Sequence, residues 1–141
     1  MILTFSEKRF ERKIIDKVKI HTIRKDVGNK WRTGVKINFW MHNPRNVQLY
    51  PYEFATSHTR KVDNIIIMPG QNKIIIENNI FVSLKDLNNI AVRDGFDDFE
   101  HFKTWFDKPF SGKLIHWSLD YLRASKRNKK NSFYAKQGEL F

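Results

Sequence analysis

The chain has 141 residues, 40% of them hydrophobic and 14% aromatic, a size and composition that fit one packed core rather than two and exclude wholesale disorder. With 26 Lys+Arg against 15 Asp+Glu the formal net charge is +11, which favours a polyanionic partner. The lack of cysteine excludes thiolate catalysis, disulfides and cysteine-based zinc sites; with no long apolar run and no export-signal pattern in MILTFSEKRF, a cytoplasmic protein with no membrane partner is expected.

In chain order, Ser6 is a candidate N-cap, and Phe10, Ile14 and Val18 recur every four residues, which predicts a helix over 7–18. IHTIR reads as a strand, followed by the loop KDVGNKWRTG. VKINFWM, over 35–41, alternates apolar and polar positions as a half-buried strand does, and Asn43-Pro44 ends it. NIIIMPGQNKIIIE predicts a β-hairpin with a loop of four residues, Pro69 to Asn72, between strands whose unbroken isoleucine runs suggest burial on both faces. Ser83 caps a helix carrying Leu84, Leu87, Ile90 and Ala91, with Gly95 just past its end. A further helix opens on an acidic capping box of Asp97 and Glu100, buries Phe99, Phe102, Trp105 and Phe106, and stops at Pro109. KLIHWSL, over 113–119, is a last strand, and from about residue 122 the composition turns to RASKRNKKNS, which supplies no core. The expected organisation is a domain over 1–121 and a basic tail over 122–141.

That tail is disproportionately basic: residues 121–141 hold six basic side chains and one acidic. Lys126, Arg127, Lys129 and Lys130 are therefore candidates for general phosphate attraction, against the plainer reading of a solvated, solubilising segment. The five histidines show no paired spacing that would put two imidazoles on one metal, and there is no glycine-rich phosphate loop, so no metal or cofactor is implied.

The stretch KIHTIR gathers Lys19, Thr22 and Arg24. A threonine hydroxyl becomes a nucleophile only beside a base, and a lysine becomes a base only when burial or neighbouring cations depress its pKa. Positions three apart on a strand face opposite ways, so Lys19 must sit before the strand and curl back to reach Thr22. The alternative is a β-branched strand residue beside a solvated helix-end charge. Arg24 suits a phosphate or a base face, and Trp31, flanked by Lys30 and Arg32, suits stacking on an unpaired base, whereas Trp40 suits the core. Arg32 and Lys36 join these as candidate nucleic-acid contacts.

Three motifs in order carry a resemblance: K-x-x-T-x-R at Lys19, Thr22 and Arg24; W-x-T-G-x-K-I at Trp31, Thr33, Gly34, Lys36 and Ile37; and A-x-x-D-G-F-x-D-F-x-x-F at Ala91, Asp94, Gly95, Phe96, Asp98, Phe99 and Phe102. Over roughly residues 1–119 the chain resembles the ASCH domain, a member of the PUA-like superfamily. The resemblance implies an α+β fold, a small and mostly antiparallel β-barrel with packed helices and a cleft near the first strand, and RNA or a modified nucleoside as ligand. One bacterial branch of the family removes the acetyl group of N4-acetylcytidine with a Lys, a Thr and a Glu. By position Lys19 matches the base, Thr22 the nucleophile and Asp94 the acid, one methylene shorter than the family's Glu. Separately, QGELF at the C-terminus fits the Q-x-x-L-F pattern by which proteins dock on the bacterial sliding clamp, with Gln137 as polar anchor and Leu140 and Phe141 as apolar plugs.

Overall fold

The computed structural model describes residues 1–117 and the pair 123–124. It is an α+β fold: a mixed, mostly antiparallel sheet with three helices packed on it. The expected phosphate contacts Lys126, Arg127, Lys129 and Lys130 and the expected clamp-docking residues Gln137, Leu140 and Phe141 lie outside the described residues.

The chain opens with β1 (Ile2–Phe5), a strand that the sequence reading passed over, running parallel to β3 (Lys36–Met41). Between them lie α1 (Lys8–Ile15) and β2 (His21–Arg24). Helix α1 is shorter than its periodicity suggested: Glu7, not Ser6, is the N-cap, and Asp16 the C-cap. Phe10 and Ile14 are buried, but Val18 lies beyond the helix and is exposed, because the chain must turn through Lys17 in a left-handed conformation (φ 65°) to enter β2.

The organising element is β4 (Tyr52–Met68), 17 residues long. Its first half pairs with β3, and a register shift between Thr59 and Lys61 passes its second half to β7 (Phe110–Trp117) and β5 (Lys73–Ile76). An extra residue on one strand bends it and raises its twist, which lets one strand serve two parts of the sheet. The four-residue connection Pro69 to Asn72 joins β4 to β5 as the sequence predicts, with Asn72 in the left-handed conformation. The isoleucine runs are not buried on both faces, however. Ile65, Ile67 and Ile74 are in the core while Ile66 is exposed, the alternation of a sheet with one wet face. Strand β6 (Asn79–Phe81) pairs with β5 and forms an edge.

Helix α2 (Leu84–Arg93) is capped by Ser83, whose hydroxyl accepts from the Asp86 backbone N–H. Helix α3 (Phe99–Trp105) is capped by Asp98, whose carboxylate accepts from the His101 N–H; Asp97, expected in that role, instead faces Lys13. Strand β7 begins three residues before the predicted start because Phe110 to Gly112 already pair with Ile65 to Ile67. A last pair, β8 (Arg123–Ala124), adds to β4 just past the expected boundary at residue 121.

The core is largely aromatic: Phe39, Phe54, Phe99 and Phe102 are fully buried, and Phe39 meets the Trp117 ring edge to face at 4.8 Å. Among the described residues the sheet does not close. Strand β1 pairs only with β3 and β2 only with β7, leaving a seam between β1 and β2. No helix among the described residues is long and apolar enough to cross a membrane.

Candidate functional site

A cleft of about 510 Å³ lies at that seam, within the size range of ligand pockets. Thr4 and Phe5 of β1 form one side and Thr22 and Arg24 of β2 the other. The segment after β3 contributes His42, Asn43 and Asn46, the turn between α2 and α3 contributes Asp94 and Phe96, and Trp105, Phe106 and Phe110 complete an aromatic wall.

Strand geometry places the β2 residues. Thr22 and Arg24 share a face by the two-residue period and line the cleft together with Ile23, while His21 is outside the lining. Lys19 lies before β2, as the spacing required, and its side chain returns to the cleft floor, 2% exposed. Its Nζ donates to the His21 carbonyl at 2.7 Å and the Asp94 carbonyl at 2.5 Å, with the Asp94 Oδ1 at 3.7 Å. Burial lowers the Lys19 pKa to about 8, with Asp94 opposing the shift and Arg24 adding to it. Aromatic faces complete the surroundings of the ammonium, the Phe10 ring at 5.3 Å and the Phe5 ring at 5.7 Å.

Asp94 reaches this floor because α2 ends there. Gly95 follows with φ +103°, and a Cβ at that position would stand 2.8 Å from the Phe10 ring and 2.9 Å from the Lys19 Cδ. Only a glycine lets the turn press this closely on both side chains while taking that backbone angle. The four residues singled out around KIHTIR thus line one cleft, although more than 70 positions separate Asp94 from Lys19.

No hydrogen bond joins Lys19 to Thr22 among the described residues. The Thr22 Oγ1 instead accepts from Arg24 Nε at 3.4 Å, and Arg24 Nη2 donates to the Thr4 carbonyl at 2.9 Å, lacing β2 to β1 across the seam. The guanidinium lies 5.0 Å over the Phe5 ring, and burial pushes its pKa down, with the more distant Asp94 charge opposing.

His21 is the residue sequence reasoning missed. It is buried, and its Nδ1 lies 2.9 Å from the Asp94 Oδ1, so an imidazole N–H donates to the carboxylate that also faces Lys19. Its register partner on β7 is His116, whose ring meets it edge to face at 5.3 Å and whose Nε2 lies 2.9 Å from the Asp63 Oδ2. Burial, and then His21, lower the His116 pKa against the pull of Asp63. Each imidazole thus meets a carboxylate from a distant part of the chain, His21 one at the end of α2 and His116 one on β4, which spacing along the sequence does not reveal. Among the described residues no group of three or more His, Asp or Glu is placed to hold a metal ion.

Three expected ligand contacts do not join the cleft. Trp31 is 8% exposed and sits in the core, its backbone N–H held by the Asp26 carboxylate at 2.9 Å, so it offers no stacking face. Arg32 and Lys36 are exposed but outside the cleft lining. The tryptophan that does border the cleft is Trp105, 46% exposed, which its helical spacing had assigned to the core; Trp40 is half-buried. A helix of only two turns beside a cleft leaves one position of its apolar stripe uncovered, and such a position reads identically to a core one.

No family model, curated protein or solved structure matches this chain.

Proposed function

We propose that this is an ASCH-type module, its sheet an open variant of the PUA-like barrel, which binds RNA or a modified nucleoside by taking one nucleobase into the cleft at the β1–β2 seam. The single observation that carries the reading is the convergence of Lys19, Thr22, Arg24 and Asp94 on a cleft walled by Phe96, Trp105, Phe106 and Phe110. Aromatic faces bind the planar surface of a base, hydrogen-bonding groups at the floor meet its edge, and a basic chain attracts its phosphates.

A second reading is amide hydrolysis of an N4-acylated cytidine, and the buried Lys19 favours it. A pKa near 8 makes the amine a far stronger candidate base at neutral pH than an ordinary lysine, and Thr22 lies on the same cleft. Against it, the Lys19 Nζ is engaged with two carbonyls rather than with the Thr22 hydroxyl. Binding is therefore the primary reading and turnover the secondary one. Clamp association through Gln137, Leu140 and Phe141 remains an expectation from the C-terminal sequence.

The test is incubation with N4-acetylcytidine and with a single-stranded RNA, following deacetylation, cleavage and retention in one series. The binding reading expects retention that weakens steeply with salt and survives Thr22→Ala. Hydrolysis that disappears in folded Thr22→Ala and Lys19→Ala establishes the second reading. Neither retention nor turnover removes both.

A further inference from the structure

We infer that the cleft is built for an anionic ligand, with Arg24 and Lys25 receiving the phosphate of a nucleotide rather than a neutral nucleoside. This rests on the nucleobase-binding reading above and narrows it to a substrate class.

The argument is a charge count at the cleft surface. Lys19, Arg24 and Lys25 line it, and among the described residues Asp94 is its only carboxylate. That carboxylate is already engaged, 2.9 Å from His21 and 3.7 Å from Lys19. Arg24 has no carboxylate within ion-pair distance among the described residues. Its Nε and Nη2 have acceptors, a hydroxyl and a carbonyl, while its Nη1 has no protein acceptor among the described residues. Lys25 is exposed at the rim, its ammonium 5.3 Å over the Phe110 ring, also with no carboxylate partner among the described residues.

A cation drawn out of water is stabilised by an opposite charge or by a full set of acceptors. Arg24 has one flank on Phe5 and, among the described residues, acceptors for only two of its three nitrogens and no carboxylate nearer than the more distant Asp94 charge. A guanidinium in this state presents unoccupied N–H groups in a planar fork, the geometry that matches two oxygens of a phosphate. Contact between the Lys25 ammonium and Phe110 links the cationic rim to the aromatic wall, since Phe110 meets Phe106 at 5.5 Å and Phe106 meets Phe96 at 6.4 Å. A ring on that wall and a phosphate on Arg24 and Lys25 are together a nucleotide.

The experiment compares cytidine, cytidine 5′-monophosphate and inorganic phosphate by calorimetry on the full chain, in the wild type and in Arg24→Gln, Arg24→Lys and Lys25→Gln. The monophosphate should bind at least about tenfold more tightly than cytidine, the scale of one charge-assisted hydrogen bond. Arg24→Gln should collapse that ratio toward one. Arg24→Lys should restore it only in part, and the wild-type ratio should shrink with salt. Should Arg24→Gln fail to fold, Lys25→Gln, at an exposed position, should still lower the ratio severalfold. Equal affinity for cytidine and its monophosphate overturns the inference and leaves the nucleobase reading standing. Binding of inorganic phosphate as tightly as the monophosphate means an adventitious ion only and also overturns it. Binding of neither cytidine nor its monophosphate removes the nucleobase reading itself.

Discussion

Two sets of cations on this chain meet opposite fates. Along α1, every basic side chain finds a carboxylate: Lys8 meets Glu11, Arg9 meets Glu7, Arg12 meets Asp16 and Lys13 meets Asp97. Around β2, Lys19, Arg24 and Lys25 line a cleft with Asp94 as its one acid among the described residues. A helix brings positions three and four apart together, so two of the α1 partners come from the same helical surface. A strand offers no such local neighbour, and its cations depend on what the fold brings across. The net charge of +11 therefore says little about where a ligand binds. What locates the site is the place where folding removes water from positive charge without supplying enough negative charge.

The strongest way to break this contrast is to remove the shared acid. Asp94→Asn leaves the Lys19 ammonium buried without its counter-charge, and loss of one partner of a buried pair costs about 3–5 kcal/mol. Denaturant melting should show a loss of that order, and a change below about 1 kcal/mol would mean that the floor is wetter or more adaptable than this geometry implies.

Next comes the titration of Lys19. Its folded pKa of about 8 lies below its ordinary 10.5, so between those values the unfolded chain holds the proton more tightly. The Lys19 contribution should therefore raise stability as pH climbs from about 8 to about 10.5, by on the order of 3 kcal/mol across the window. Comparing melts of the wild type with Lys19→Met over that range isolates the slope, and NMR of the lysine side chain gives the midpoint directly. A midpoint near 10.5 would refute the claim that this ammonium is desolvated.

Gly95→Ala tests the packing that carries Asp94 to the floor. The added methyl meets Phe10 and Lys19 under 3 Å and holds alanine at φ +103°, an expected loss of about 2 kcal/mol from overpacking and backbone strain. A near-neutral result would show that the turn can relax away from Lys19.

His116 should give a smaller effect, confined to acid. Its folded pKa lies below the ordinary 6.5, so as pH falls past that value the unfolded chain takes the proton first and stability drops. His116→Gln should flatten the dependence of stability on pH below about 6.5 relative to the wild type, and an unchanged profile would assign the acid sensitivity elsewhere.

How much of this was legible in the sequence depends on the range of the interaction. Local signals located the β4–β5 connection, the Ser83 cap and the Gly95 turn, because each is decided within a few residues. The proximity of Lys19, Thr22 and Arg24 followed from one short strand, and that of Asp94 came only from a motif order typical of a family. The His21–Asp94 and His116–Asp63 contacts had no local signature, since the first joins β2 to the end of α2 and the second joins β7 to β4. Strand β1 was hidden as four residues at the chain start, and the first half of β4 was hidden because polar residues, Ser57 and Thr59, occupy its buried positions too. The exchange of Trp31 and Trp105 has the same cause. Charged neighbours made Trp31 look exposed, but Asp26 holds its backbone and turns the ring inward.

The smallest expected effect completes the contrast. Arg12 and Asp16 form an ion pair one helical turn apart, with both side chains about half in water. Asp16→Asn should alter stability by under about 0.5 kcal/mol, because solvent screens the pair and the freed side chain regains entropy. Arg12→Gln, on α1, and Asp16→Asn, at its C-cap, lie outside the cleft lining, so nucleotide affinity at moderate salt should be unchanged in either variant. The measurement is a paired melt and binding isotherm for each variant. Should Arg12→Gln weaken binding as much as Arg24→Gln does, affinity would follow total charge rather than the unpaired guanidinium at the seam, and the distinction between the two sets of cations would fail.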